Sequence, residues 1–282
     1  MGRTIRTCEP GALHLTETAY AKINLALHVR GRREDGYHEL ETLFAFVDCG
    51  DVLTARRAEK DRLTTVGPFA TALANPFDNI VTQALSALPR PDGLDVTLEK
   101  NLPVAAGLGG GSADAGAVFR MVRGAYGLPD DWRERAARLG ADVPACVDSD
   151  MHIGLGTGAQ RVEVENDMAG MAVLLVNPRV AVPTGPVFKA WDGADRGSLP
   201  DGPASAIARD GRNDLRQPAV KICPEIDTVL TSLSSTDPWM HEMSGSGATC
   251  FALYESAEIR DRAAQKLAAE HSDWWQMKGF LR

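Results

Sequence analysis

Four glycines, Gly107, Gly109, Gly110 and Gly111, fall within five positions and are followed at once by Ser112. Glycine admits backbone conformations closed to other residues and lets a ligand approach without a Cβ in the way. The run lies between Asp95–Lys100, which alternates like a strand, and Ala113–Tyr126, which has helical spacing. A helix starting there aims unpaired N–H groups and its positive dipole end at the same loop. Pro103, Val104, Ala105, Ala106, Gly107, Leu108, Gly109, Gly110, Gly111, Ser112 and Ala113 therefore read as a cradle for a di- or triphosphate. No lysine precedes the serine, so this is not a Walker loop, and Ser112 stands where a dinucleotide-binding fingerprint needs glycine. A glycine cluster is equally compatible with a plain flexible connection; the helix directly behind it favours phosphate.

Phosphoryl transfer to an alcohol needs two further parts, a carboxylate to orient or deprotonate the hydroxyl and a cation for developing charge. Asp142, in Gly140-Ala141-Asp142-Val143-Pro144, is the candidate carboxylate, and Lys22 or Lys100 the candidate cation. Lys22 and Asn24 are two apart on a strand and so project from one face. Taken singly, each has an ordinary alternative. Lys22 reads equally as a solvated strand lysine, Asp142 as a helix cap, and Tyr37-His38 as loop packing. Together they supply one of each part.

The elements that must position them are legible from periodicity. Residues 19–29 alternate, with Ala19, Ala21, Ile23, Leu25, Leu27 and Val29 on the apolar face and Tyr20, Lys22, Asn24, Ala26 and His28 on the other. That is a half-buried strand whose polar face meets solvent or a cleft. A second strand is expected over 41–47, and a helix capped by Asp78 and stopped by Pro89. The glycine-run helix should end at Gly127, and another should run from Asp130 or Asp131 to Leu139. Strands are expected at 172–176, 250–254 and 277–281, with a helix capped by Ser256. The stretch 192–212, rich in Gly, Pro, Asp and Ser, reads as a mobile loop. Strands and helices mix without a strict βαβ rhythm, which indicates α+β rather than a doubly wound sheet.

With 282 residues, 44% hydrophobic and 24% charged, the chain has enough apolar side chain for one large or two ordinary domains. A net charge of −8 argues against a nucleic-acid partner and requires positive potential to be concentrated locally wherever an anion binds. Cys8, Cys49, Cys146, Cys223 and Cys250 are scattered and form no Cys-x-x-Cys pair, which suggests reduced thiols rather than zinc or a disulfide framework. Residues 1–17 lack the apolar core of a signal peptide, Arg6 spoils a myristoylation signal, and no apolar run approaches about 18 residues. A cytoplasmic protein without membrane or nucleic-acid partners is expected.

Five segments in order, AYAKINLALHV, GYHELETLF, LPVAAGLGGGSADAG, GADVP and MSGSGATCFALY, resemble the GHMP kinase superfamily. The pairing of AKINL with GYHEL is similar to the branch whose substrate is a diphosphocytidyl alcohol. The resemblance runs from about Ala19 to Tyr254. It implies an α+β fold of two lobes, the first like ribosomal protein S5 domain 2 (1–165) and the second ferredoxin-like (166–282), with ATP and substrate meeting in a cleft. It implies ATP-dependent phosphorylation of the alcohol's 2-hydroxyl, on the non-mevalonate route to isoprenoids, with Mg²⁺ on the phosphates and metal ligands unspecified. Residues 103–113 would hold ATP, while Lys22 and Asp142 would be the catalytic pair, Lys22 holding Asp142. Asn24, Tyr37, His38, Lys100 and Phe188 would bind substrate, Tyr37 and Phe188 sandwiching the base and His38 reading its edge. Gly245, Ser246 and Gly247 would bring a second glycine turn to the site. A monomer or weak homodimer is expected.

Two departures stand out. Ala105 and Ala106 occupy positions often filled by glycine, tolerable if φ stays negative there, and Gln160 stands where the family frequently has glutamate. Two rival readings remain: a kinase of the same superfamily for mevalonate, homoserine or a sugar, or a non-catalytic nucleotide- or RNA-binding module. Tyr37-His38 with Phe188 argues against the first, and the acidic balance with Lys22 and Asp142 against the second.

Overall fold

The computed structural model describes residues 14–73 and 79–282. Along the chain run β1 (His14–Arg32), β2 (His38–Ala58), β3 (Arg62–Val66), α1 (Ile80–Ala87), β4 (Gly93–Glu99), α2 (Gly110–Tyr126), α3 (Trp132–Leu139) and α4 (Val143–Asp148). They are followed by β5 (His152–Gly156), β6 (Gln160–Val162), β7 (Ala172–Asn177), α5 (Thr184–Ala190), α6 (Ala204–Asp210) and α7 (Arg216–Ile222). The chain closes with α8 (Glu225–Ser234), β8 (Met240–Met243), β9 (Cys250–Tyr254), α9 (Ala257–Glu270) and β10 (Trp275–Phe280).

These elements form two compact units that interleave along the chain. Of the described residues, one takes 14–20, 50–73, 79–104 and 110–148; the other takes 21–49, 105–109 and 149–282. The compact units and the family lobes expected at 1–165 and 166–282 are thus different divisions of the chain.

In the first unit, residues 52–58 of β2 pair antiparallel with β4, and β3 pairs parallel with β4. Leu94, Val96 and Leu98 point inward from β4 at strand period. Helices α1, α3 and α4 pack on α2, whose Ala115, Val118, Phe119 and Val122 are buried. Gly116 makes that packing possible: a Cβ there would lie 2.5 Å from the Cys146 carbonyl oxygen of α4. Helix α1 is capped by Asn79, whose Oδ1 accepts from Val81 N–H at 2.9 Å. The expected cap Asp78 lies outside the described residues, as do Cys8 and Arg6.

In the second unit, residues 40–44 of β2 pair with β5, and β5 with β6. A separate four-stranded antiparallel sheet has the order β10-β7-β9-β8. Its inward side chains, with Val187, Leu215, Ile226, Val229, Leu233 and Leu267 from the helices, make one apolar core. Strand β7 is buried at every residue.

Two expectations need correction. Strand β1 is not half-buried: Lys22, Asn24 and His28 on its polar side are as enclosed as its apolar face, because their polar atoms find partners inside the protein. Residues 192–212 are not a mobile loop but an ordered strap containing α6. Arg30 binds both Asp195 and Glu41, and Glu41 accepts the Leu199 N–H. His28 Nδ1 lies 3.0 Å from the Gly197 carbonyl, while its Nε2 accepts from Arg212 N–H at 3.3 Å.

Candidate active site

Lys22 and the first part of the glycine run, residues 107–109, are brought together within the second unit. The backbone N–H of Lys22 donates to the Leu108 carbonyl at 3.0 Å. Its aliphatic stem passes beneath Gly109, where φ is +60° and a Cβ would lie 2.9 Å from Lys22 Cε. The glycine is required twice there, by its left-handed backbone and by the lysine stem. The Lys22 ammonium stands 4.3 Å from the centre of the Phe44 ring and 3.4 Å from Asn24 Oδ1.

Asn24 is 2% exposed and bonded internally: its amide donates to Thr42 Oγ1 at 2.7 Å and its N–H to Ser244 Oγ at 3.3 Å. A second glycine turn, Ser244 to Gly247, lies against the first. Ser244 Oγ donates to the Gly107 carbonyl at 2.7 Å, and Thr249 N–H to the Ala106 carbonyl at 3.1 Å. Asn213 holds the turn from below, donating to the carbonyls of Met243 and Gly245, each at 2.8 Å. Ala105 has φ +54°, so the expectation of a negative φ fails: this alanine occupies the left-handed region that glycine would enter freely.

A separate aromatic cluster also belongs to the second unit. The rings of His38 and Phe188 lie 4.9 Å apart at 43°, and Trp191 meets His38 edge-on at 5.8 Å. His38 Nε2 is buried and has no hydrogen-bond partner. Burial, reinforced by the Arg32 guanidinium, holds the His38 pKa below its ordinary value. The neutral ring has one N–H donor and one acceptor. Tyr37, on the preceding turn, is 63% exposed, its N–H fixed by Asp35 at 3.0 Å.

The remaining candidates lie in the first unit. Asp142 stands just before α4, its carbonyl accepting from Cys146 N–H at 3.0 Å. Ser112, in the first turn of α2, has its hydroxyl beside Gly140, 3.9 Å from where a Cβ would sit there. Helix α2 begins at Gly110, three residues earlier than its apolar spacing indicated. Lys100 does not face a ligand as expected. It is 2% exposed, with its ammonium held by Asp51 and, at 2.8 Å, by Asp114 Oδ2.

Sequence reasoning missed Phe44, Thr42, Trp191, Ser244 and Asn213. Ser244 was within reach, since it opens the second glycine turn. Trp191 directly follows α5 as its C-terminal cap, its N–H donating to the Phe188 carbonyl at 3.2 Å.

The family model described as GHMP kinases N terminal domain matches residues 79–150, and GHMP kinases C terminal matches 200–273. A 4-diphosphocytidyl-2-C-methyl-D-erythritol kinase of Erythrobacter litoralis is 70% identical, over 95% of this chain and 100% of its own. The enzyme of that name from Novosphingobium aromaticivorans is 62% identical, over 96% and 94%. The crystal structure of a 4-(cytidine 5'-diphospho)-2C-methyl-D-erythritol kinase superposes with a TM-score of 0.79 at 33% identity, over 95% of this chain and 99% of that one. A homoserine kinase from Cytophaga hutchinsonii superposes with a TM-score of 0.64 at 15% identity, a likeness of fold alone.

Proposed function

This chain belongs to the GHMP kinases and, within them, to the 4-diphosphocytidyl-2-C-methyl-D-erythritol kinases, and from that premise we propose a role for each residue of its site. The reaction is ATP-dependent phosphorylation of the 2-hydroxyl of the cytidyl alcohol, a step of the non-mevalonate isoprenoid pathway. The fold is the family's α+β fold.

The observation that carries the substrate reading is the buried, unpartnered Nε2 of His38 beside Phe188. An enclosed ring nitrogen without a partner loses a hydrogen bond unless a ligand completes it. A cytosine edge offers both donors and acceptors to a neutral imidazole, and its face stacks on aromatic rings. Exposed Tyr37 closes the other side of the base opposite Phe188. Homoserine and mevalonate offer no such edge.

Residues 103–113 take the ATP phosphates on backbone N–H groups and the N-terminus of α2. Asp142 orients or accepts the proton of the 2-hydroxyl, while Lys22 stabilises charge on the transferring phosphoryl group. Asn24, enclosed and bonded to Thr42, steadies the Lys22 ammonium rather than reaching outward. Mg²⁺ would neutralise the phosphate charge when bound. The nucleotide's own phosphate oxygens would hold it, as suits an ion that binds through substrate phosphates. Among the described residues no three metal-ligating side chains cluster into an all-protein cage. We place the reaction in the cytoplasm, on a monomer or weak homodimer; no described helix is long and apolar enough to cross a membrane.

The test is ADP release from pure protein offered the diphosphocytidyl alcohol, mevalonate or homoserine. Turnover only with the first is expected, and turnover with either of the others but not the first sinks the reading. Asp142→Asn should cut kcat by ~100-fold or more while ATP affinity stays within a few-fold. His38→Ala should raise KM for the cytidyl alcohol and leave that for ATP unchanged.

A further inference from the structure

Beneath the start of α2 lies a fully enclosed cluster of one lysine and two carboxylates. Asp51 of β2 is 0% exposed; its Oδ1 accepts the backbone N–H groups of Asn101 at 2.5 Å and Leu102 at 2.7 Å, and its Oδ2 accepts from Lys100. Lys100 donates also to Asp114 Oδ2 at 2.8 Å, four residues into α2. The backbone of Lys100 is pinned as well, its N–H donating to the Val66 carbonyl at 2.8 Å and its carbonyl accepting from Phe69 N–H at 3.2 Å. Gly110, the first residue of α2, lies directly above the ammonium: a Cβ there would be 3.2 Å from Lys100 Nζ.

We propose that Asp51, Lys100 and Asp114 form a strut that fixes both ends of the phosphate-loop segment, with Lys100 a positioning residue that touches neither nucleotide nor substrate. Asp51 holds the entry, at Asn101 and Leu102, and Asp114 holds the exit, in the first turns of α2. Lys100 joins the two carboxylates. This rests on the reading of residues 103–113 as the ATP loop.

The charges divide unequally. Asp51 receives two N–H groups and an ammonium, three donors in all. Asp114 has Oδ1 buried with no partner, and burial pushes its carboxyl well above the usual range. Asp114 is therefore the less well satisfied carboxyl of the two, with one donor against three for Asp51. A raised carboxyl suits this place, because an unbalanced carboxylate under α2 would oppose both burial and the phosphates above.

The strut predicts an order among three variants of the full chain. Asp114→Asn keeps a side-chain oxygen to accept from Lys100 at the carboxyl with the fewer partners, and should leave KM for ATP within ~3-fold. Asp51→Asn takes one of two acceptor oxygens from the loop entry, and Lys100→Met disconnects the two ends. Each should raise KM for ATP by ~10-fold or more, with KM for the cytidyl alcohol within ~2-fold. If Lys100→Met raises KM for the alcohol as much as for ATP, Lys100 is a substrate ligand and the proposal falls. If Asp114→Asn is as damaging as Asp51→Asn, the charge assignment falls. Should Asp51→Asn or Lys100→Met not fold, infrared difference spectra of wild type against Asp114→Asn at neutral pH and the kinetics of Lys100→Arg decide instead. A protonated-carboxyl stretch lost in the variant supports the charge assignment and its absence from the wild type overturns that assignment, while Lys100→Arg, which keeps the cation, tests the strut: a rise in KM for ATP alone supports it, and an equal rise for the alcohol overturns it. A wild type inactive on the cytidyl alcohol would sink the functional reading while leaving the infrared comparison intact.

Discussion

Replacing Gly107 by alanine should damage the protein through two backbones that cannot both keep their places. Gly107 has φ +77°, a region that costs a non-glycine residue about 1–2 kcal/mol. A Cβ would also lie 2.3 Å from the Ser244 carbonyl oxygen, 3.0 Å from that of Gly247 and 3.1 Å from the Gly247 nitrogen. These are main-chain atoms of a turn held by Asn213 and Thr249, so no side chain can swing aside. Overpacking of this kind adds about 1–3 kcal/mol, for a total near 2–5 kcal/mol. Either the folded state stores this, lowering Tm by about 5–10 °C, or the loop moves and releases it. A shift of about 1 Å at a positioned reactant can cost on the order of 100-fold, so kcat/KM for ATP should fall at least ~10-fold. Thermal melts and steady-state kinetics at varied ATP read both outcomes. Gly124→Ala is the control: it lies in α2 with nothing within 4 Å of its would-be Cβ, and should stabilise by about 0.5–1 kcal/mol. A Gly107→Ala protein that melts within about a degree of wild type and keeps its ATP kinetics would refute the steric reasoning.

Ala105→Gly should relieve the left-handed strain by about 1 kcal/mol and return a similar amount to the unfolded chain, so Tm should hold or rise slightly. A clear fall in Tm would show that the Ala105 methyl group contributes packing. Acid should weaken the fold through His28, whose imidazole is held below its ordinary pKa by burial and then by Arg212. The unfolded chain protonates near pH 6.5 while the folded one resists, so stability present above that value is lost as pH falls, by at most about 1.4 kcal/mol per unit. His28→Gln, melted across the same pH range, should show a shallower loss, and an unchanged slope would clear His28 of the effect.

Much of this was legible because it is local. The alternation of 19–29, the spacing after the glycine run and the Ser256 cap are each set by neighbours in the chain, and β1, α2 and α9 followed. Which polar groups end up enclosed is not local. Lys22 and Lys100 read alike as strand lysines, yet the partners of Lys100 come from residues 51 and 114, and no periodicity announces them. Composition misled at 192–212 for the same reason. Gly, Pro, Asp and Ser disfavour helix and sheet, but Arg30, His28 and Glu41 supply hydrogen bonds from elsewhere.

That strap has a practical corollary in the protease test tube. Arg196, Arg209 and Arg212 advertise three trypsin sites in a segment whose composition suggests easy access. A protease must draw a cleaved stretch out of its surroundings, and here that means detaching Asp195 from Arg30, Arg212 from Asp214 and the Gly197 carbonyl from His28. The segment should therefore outlast less anchored arginines in a limited digest, and the first cut to appear within it will mark the moment the second unit begins to open.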